Sequence, residues 1–233
     1  MSAKKTKKQL RKEATLRANR IRKNLIAANE ATPTIDPNLT TPKLKLYSPL
    51  EHSSSDVPAV EVNTTIAFQS SIKDDDTTLD ACLDLFENNM GEMYKKSSWG
   101  LNMKEKKEEL IHEKARYLTV SSQEESVKKL LAFAHFRFEE DDDDKPTAEV
   151  LYLYEIQINA LVQRNGLGKR MMDILEMIAM EYGMRKVMLT VFKTNKEAMA
   201  FYKKLNYVID ESSPSEFGEE ADYEILSKII HRD

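Results

Sequence analysis

Apolar residues recur along this chain with two different periods, and the points where the period changes mark its elements. Between residues 77 and 94, Leu79, Cys82, Leu83, Phe86 and Met90 fall on one side of a 3.6-residue repeat, which predicts an amphipathic helix. Residues 104–114 predict a more charged helix, its start signalled by Asn102. Residues 117–120 and 130–138 read as strands, the second alternating between an inward and an outward face, and an extended segment precedes them near 65–69. The acidic run over 139–145, closed by Pro146, predicts a turn. A strand over 150–158 then leads into a glycine turn and a helix over 169–182. A strand over 186–192, a helix over 195–205 and short strands near 207–210 and 223–227 follow. Antiparallel hairpins first and a β-α-β unit later predict an α+β sandwich around one sheet, without internal repeats.

The N-terminal quarter departs from this pattern. Residues 4–23 read as a basic helix with few apolar positions, Leu10, Leu16 and Ile21 among them. Residues 31–60 hold five of the seven prolines and many Ser/Thr, so they predict a linker. The expected organisation is therefore a basic helical segment over 1–30, a linker over 31–60 and a catalytic domain over 61–233. Charge follows the same division. Residues 1–24 carry ten Lys/Arg against one acid, Glu13, a net of +9, so a chain net of −4 leaves −13 on the remainder. An acidic body draws cationic partners and disfavours nucleic acid as its main ligand. The basic head reads either as a nuclear-localisation or ribosome- or chromatin-docking segment, or as a solvated tail resting on the body.

A single cysteine, Cys82, leaves no disulfide framework or thiol-rich metal site, fits a reducing compartment, and is expected in the core. The four histidines show no metal-binding spacing, and no metal is implied. No apolar run approaches membrane-spanning length and the N-terminus lacks a signal-peptide pattern; a soluble, intracellular protein is expected.

Chemistry concentrates at residues 163–168, Gln-Arg-Asn-Gly-Leu-Gly, between a strand and a helix. Two glycines at such a turn free backbone N–H groups to converge on an anion, and the helix N-terminus adds partial positive charge. This predicts a pyrophosphate cradle. A P-loop is excluded because Gln163 stands where glycine is needed, and Arg170 follows Lys169 where a magnesium-binding hydroxyl belongs. A dinucleotide fingerprint is excluded by Met171 and by the absence of an all-parallel sheet.

The turn resembles the acyl-coenzyme A loop of the GCN5-related N-acetyltransferases, the GNAT superfamily. Asn195, opening a helix just after a strand, and Ala198-x-x-Phe201-Tyr202-x-x-Leu205-Asn206-Tyr207 resemble a second segment of that family. Asn206 replaces the usual glycine and also tolerates a left-handed cap. Residues 88–100, 134–138, 151–157, 187–193, 212–215 and 223–226 resemble the histone-directed branch of N-terminal acetyltransferases, the NatD type. The resemblance implies the GNAT (acyl-CoA N-acyltransferase) fold, a central mixed, mostly antiparallel twisted sheet flanked by helices. It also implies direct transfer in a ternary complex from acetyl-CoA to the N-terminal serine of histone tails of the H-four and H-two-A types, which begin Ser-Gly-Arg-Gly. Residence in cytoplasm and nucleus is expected with it.

The resemblance and the chemistry of the transfer together assign the candidate residues. Glu155 is the expected base, its pKa raised by desolvation; otherwise it is an exposed strand carboxylate or an ion-pair partner. Strand alternation separates Glu155 from Tyr154 unless a bulge intervenes, as is usual on this strand in the family. Tyr202 is placed to protonate the leaving thiolate or to pack. The backbone of Ile156, Gln157 and Ile158 is expected to pair with the pantetheine arm as an added strand. Arg164, Asn165, Gly166, Leu167, Gly168 and Lys169 cradle the pyrophosphate. Asn195 both caps its helix and bonds the cofactor arm. For the peptide the resemblance points to Tyr94, Tyr152, Tyr154, Thr190 and Tyr223, with Glu139 facing a basic side chain; each is otherwise half-buried sheet packing or a solvated turn. The rival functions are a lysine or polyamine acetyltransferase of the same fold and a non-catalytic acyl-CoA-binding adaptor.

Overall fold

A computed structural model describes residues 7–30, 43–46, 60–124, 130–141 and 148–230. Among the described residues eight strands form the sheet: β1 (Lys43–Leu46), β2 (Val60–Gln69), β3 (Arg116–Ser122), β4 (Leu130–Asp141), β5 (Ala148–Ile158), β6 (Lys186–Phe192), β7 (Val208–Ile209) and β8 (Tyr223–Ile229). Their spatial order is β1-β2-β3-β4-β5-β6-β8-β7, a seven-stranded sheet extended at one edge by the short β1. Among the described residues only β5 and β6 pair in parallel; every other neighbour is antiparallel. That single parallel pair needs a crossover, and the helix α4 (Leu167–Glu181) supplies it. The expected α+β fold with a mixed, mostly antiparallel sheet is the one observed.

Helices α1 (Lys7–Glu30), α2 (Asp76–Lys96), α3 (Met103–Leu110), α4 and α5 (Lys196–Lys204) flank the sheet. Their ends are signalled locally. Asp75 accepts from Thr78 N at 3.0 Å at the start of α2, Asn102 accepts from Lys104 N and Glu105 N before α3, and Asn195 accepts from Ala198 N at 3.1 Å before α5. Asn206 ends α5 with φ 66°, the left-handed conformation that asparagine tolerates.

Two apolar clusters lie on opposite faces of the sheet. One joins Met171, Met172, Leu175 and Ile178 of α4 and Ala28 of α1 to Ala134, Phe136 and Phe138 of β4. The other joins Leu79, Cys82, Leu85 and Phe86 of α2 and Leu110 of α3 to Tyr117 and Phe133. This corrects two sequence expectations. β4 is buried on both faces through Phe138 rather than alternating, because helices cover it from both sides. On α2 it is Leu85, with Leu83 only half-buried, that completes the inner face.

The N-terminal region also differs in extent. α1 continues to Glu30 and lies on β4 and β5, with Ile21 and Ala28 buried and Asn24 Nδ2 donating to Glu149 Oε1 at 2.9 Å. The stretch read as a linker contributes β1 and, in Val60, the first residue of β2, which pairs antiparallel with it; its other residues lie outside those described. The acidic run read as a turn over 139–145 begins instead as the end of β4, Glu139 to Asp141, and 142–147 lie outside the described residues. Among the described residues no helix is long and apolar enough to cross a membrane.

Candidate acyl-transfer site

β5 and β6 pair only from Val150 to Leu153 against Lys186 to Leu189, after which the two strands part. β6 continues against β8, and β5 continues against β4 to Ile158. The β6-facing edge of residues 154–158 is therefore left without a strand partner, a ready template for one more extended chain. Into this wedge opens a cavity of about 690 Å³, lined by residues of α2, β5, the glycine turn, β6 and α5.

A bulge sharpens the geometry. Glu155 pairs with His135 and Leu153 with Phe136, so Tyr154 is an extra residue on β5, with the register shift between His135 and Phe136. This is the bulge on which the family expectation depended, and it turns Tyr154 and Glu155 toward the same region, where both line the cavity.

At the far end, Gly166 is the N-cap of α4 at φ 76° with no side-chain cap. A Cβ there would meet nothing within 4 Å, so the φ demands glycine and the space in front of it is open. At Gly168 a Cβ would sit 3.3 Å from Ile158 Cδ1 and 3.3 Å from Phe201 Cζ, so any larger residue would press on both side chains where the turn approaches β5 and α5. The first N–H groups of α4 thus face an open space without a side-chain acceptor, suited to a diphosphate.

Of the expected cofactor residues, Ile156, Gln157, Ile158, Arg164, Gly166, Leu167, Gly168, Lys169 and Asn195 line the cavity. Asn165 does not. Its side chain turns to β1, where Nδ2 donates to Lys45 O at 2.9 Å and Oδ1 accepts from Lys45 N at 3.3 Å. Asn165 thus ties the turn to the N-terminal strand. Arg164, in the left-handed region at φ 62°, pairs with Glu197 at 2.8 Å, and Lys169 with Asp173 at 2.7 Å, all at exposed positions.

Glu155 lies at the cavity floor and is only 5% exposed. Its Oε1 accepts from Lys106 Nζ at 2.8 Å and its Oε2 from Gln157 Nε2 at 2.7 Å. Burial raises its pKa above the usual carboxylate range, Lys106 opposes that rise, and Glu109 adds to it. Asn89 Nδ2 in turn donates to Gln157 Oε1 at 3.0 Å and to Ile158 O at 3.1 Å. The exposed-carboxylate alternative for Glu155 is thereby excluded; the ion-pair alternative is realised, and it coexists with access to the cavity. Tyr202 is buried in the same wall, and burial together with Glu155 raises its pKa, so its hydroxyl keeps its proton and can donate it.

The expected peptide residues separate into two groups. Tyr94, Tyr154 and Thr190 line the cavity. Tyr152, Glu139 and Tyr223 stand one contact behind it. Tyr152 shares a hydrogen bond with Thr190, Tyr154 donates to Glu139 at 3.1 and 3.2 Å, and the Tyr223 ring lies 5.1 Å from that of Trp99. Arg137 stacks on Tyr154 at 4.2 Å. On the other side, the rings of Tyr94, Trp99 and Phe192 meet at 5.0 to 5.9 Å. Ser98 N and Oγ donate to the Asp222 carboxylate at 2.7 and 3.2 Å, tying the chain after α2 to the approach to β8.

Lys106, Glu109, Asn89, Trp99 and the Ser98–Asp222 pair were not expected from the sequence. One signal for Lys106 was present: Met103, Lys106 and Leu110 fall on one face of α3, so a lysine occupies the inward stripe. Cys82 is buried in the core with its thiol pKa pushed up by burial, so it is inert as a nucleophile.

The model of the acetyltransferase (GNAT) family matches residues 79–207. Among solved structures, the fold is similar to that of an aminoglycoside 6'-acetyltransferase type Ii, at TM-score 0.51 and 18% identity, covering 72% of this chain and 98% of that one. It is also similar to Arabidopsis thaliana NAA60 in complex with a bisubstrate analogue, at TM-score 0.50 and 12% identity, covering 72% and 100%. These likenesses bear on fold. Acetyltransferases of this family use acetyl-CoA, and the open edge of β5 and the uncapped start of α4 fit its arm and diphosphate. The family match spans the α2 face, the bulged strand, the glycine turn and α5, and with it the chain is placed in the GNAT family, as an acetyltransferase of that type.

Proposed function

We propose that this protein acetylates the free α-amino group of protein N-termini beginning Ser-Gly-Arg-Gly, the start of histones of the H-four and H-two-A types. The observation that carries this reading is the bridge over the acceptor side. The Ser98–Asp222 hydrogen bonds and the Tyr94, Trp99, Phe192 and Tyr223 rings draw the chain after α2 onto the tips of β6 and β8. An open groove admits a lysine on a folded surface, whereas a covered mouth favours a flexible chain end. A small first residue and a glycine second residue suit such a mouth, and Glu139 behind Tyr154 offers a negative partner to an arginine at the third position.

In the proposed reaction Glu155 takes a proton from the attacking amine, and backbone N–H groups on the free edge of β5 polarise the thioester carbonyl. Tyr202 supplies a proton to the departing sulfur. Acetyl-CoA supplies the acyl group. The test compares Ser-Gly-Arg-Gly-Lys peptides with free and blocked first residues. Only the free form is expected to accept acetyl; equal transfer onto lysine of the blocked form would return the site to the lysine acetyltransferases. The exposed Lys12, Arg20, Arg22 and Lys23 of α1 extend the proposal to docking on ribosomes or chromatin, with residence in cytoplasm and nucleus. Co-sedimentation that survives in an α1 charge-neutralised variant would remove that extension.

A further inference from the structure

Glu155 poses a problem of charge. A carboxylate this buried and without a counter-charge takes up a proton and is lost as a base at neutral pH. One locked one-to-one to an ammonium has the opposite fault, because it is too weak a base to draw a proton from an amine. The surroundings of Glu155 lie between these limits. Lys106, itself 7% exposed, places Nζ 2.8 Å from Glu155 Oε1 and 2.7 Å from Glu109 Oε1. One ammonium is shared by two carboxylates. It also lies over the faces of Phe86 at 4.7 Å and Tyr94 at 5.4 Å, which favour a cation.

We infer that Lys106 is a positioning residue for the transfer, holding the buried Glu155 carboxylate in place and ionised, while Glu109 divides its charge and so keeps Glu155 basic. The inference rests on the role of Glu155 proposed above. α3 carries both charges, Lys106 and Glu109 being three residues apart, so one helical turn sets the strength of a base on β5.

The other groups around Glu155 fit this division of labour. On β5, Gln157 fixes the second carboxylate oxygen and adds no charge. On β4, His135 is fully buried between the rings of Tyr117 and Tyr154, and burial keeps it neutral, with Arg137 and Lys106 acting in the same direction. Arg137 donates to Glu109 O at 2.9 Å and stacks on Tyr154, so its cation is engaged away from Glu155. On α2 and α5, Tyr94 and Tyr202 stay protonated because burial raises both. Lys106 remains an ammonium, the pull of Glu155 and Glu109 outweighing its burial.

The two α3 charges are therefore expected to move Glu155 in opposite directions. In Lys106→Met the acid limb of the kcat/KM profile should rise by about one pH unit or more, with kcat at neutral pH down about tenfold. In Glu109→Gln, at a position 29% exposed and tolerant of change, the limb should fall. Lys106→Arg should recover much of the wild-type limb. Carbon-13 titration of the Glu155 carboxyl, assigned by its loss in Glu155→Gln, reads the same shifts without any acceptor. Shifts in one direction for both neutralised variants, or none, with coenzyme A affinity intact, would overturn the role of Lys106. A wild type that ignores the peptide while its Glu155 titration still moves as stated would instead count against the proposed acceptor alone.

Discussion

Two lysine-centred trios in this protein carry the same charges and behave differently. At the cavity, Lys106 lies between Glu155 and Glu109; at the far end of the sheet, Lys186 of β6 lies 2.6 Å from Asp141 Oδ2 and 2.9 Å from Asp210 Oδ2. Each pairs one lysine with two carboxylates. In the second trio all three side chains are at most 6% exposed, and Asp210 Oδ1 also accepts from Ser212 N at 3.0 Å and Ser212 Oγ at 2.7 Å. Burial pushes Asp210 up, but hydrogen bonds from Ser227, Lys186 and Ser212 outweigh it and bring the carboxyl down to about 2. Glu155 receives only two donors and stands above the carboxylate range. What separates Asp210 from Glu155 here is not the charge beside it but whether its donors outweigh its burial, and whether one side opens on a cavity.

The comparison breaks most sharply at Glu155. Glu155→Gln keeps the shape and the bond to Lys106 but removes the base, so turnover should fall by about a hundred- to ten-thousand-fold while coenzyme A affinity holds. Stopped assays and calorimetry check the two halves. A fall in affinity matching the fall in rate would mean that Glu155 holds the fold of the wedge instead. In the other trio the effect moves to stability. Lys186→Met leaves two buried carboxylates without their cation, and urea unfolding should show a loss of about 3–5 kcal/mol. A loss below about 1 kcal/mol would show that solvent reaches the trio.

Acid titration distinguishes the two clusters by sign. Asp210 is lowered from 3.8 to about 2, so its contribution is present above the ordinary value and disappears as pH falls through about 2. Asp210→Asn should therefore be less stable at neutral pH by on the order of 1–2 kcal/mol, the deficit shrinking between about pH 4 and pH 2. Glu155 is raised above 4.5, so its contribution is present below that value and disappears as pH rises through the folded pKa. Glu155→Gln should accordingly be no less stable than wild type at neutral pH. Denaturant midpoints over a pH series check both curves, and parallel curves would refute the contrast.

How far each region could be read from the sequence follows from how it is built. The cofactor side is local: Gly166, Gly168 and Asn195 lie within one β-α-β-α stretch, and their roles depend on backbone conformation that glycine and a helix cap announce. The acceptor side is assembled from afar. Lys106 meets Glu155 across 49 positions and Ser98 meets Asp222 across 124, and no periodicity encodes such pairs. The bulge at Tyr154 is invisible to alternation, since Val150 to Ile158 looks like an unbroken strand. Asn165 shows the converse: its place in the glycine turn suggested a cofactor contact, but its amide reaches β1, a strand lying within the stretch read as linker.

The smallest effect concerns a charge of the cradle that is already occupied. Arg164 and Glu197 pair at 2.8 Å, but their side chains are 75% and 80% exposed, so the pair contributes at most about 1 kcal/mol and weakens with salt. A diphosphate entering beside Gly166 must draw Arg164 away from Glu197, or bind without it. Glu197→Gln removes that competition and one negative charge from the mouth. The KM for acetyl-CoA should then fall by up to about fivefold at low ionic strength, with kcat unchanged, and the gain should vanish in high salt. A gain that persists in high salt would trace to a rearranged α5, beginning at Asn195, rather than to a guanidinium released for the phosphates.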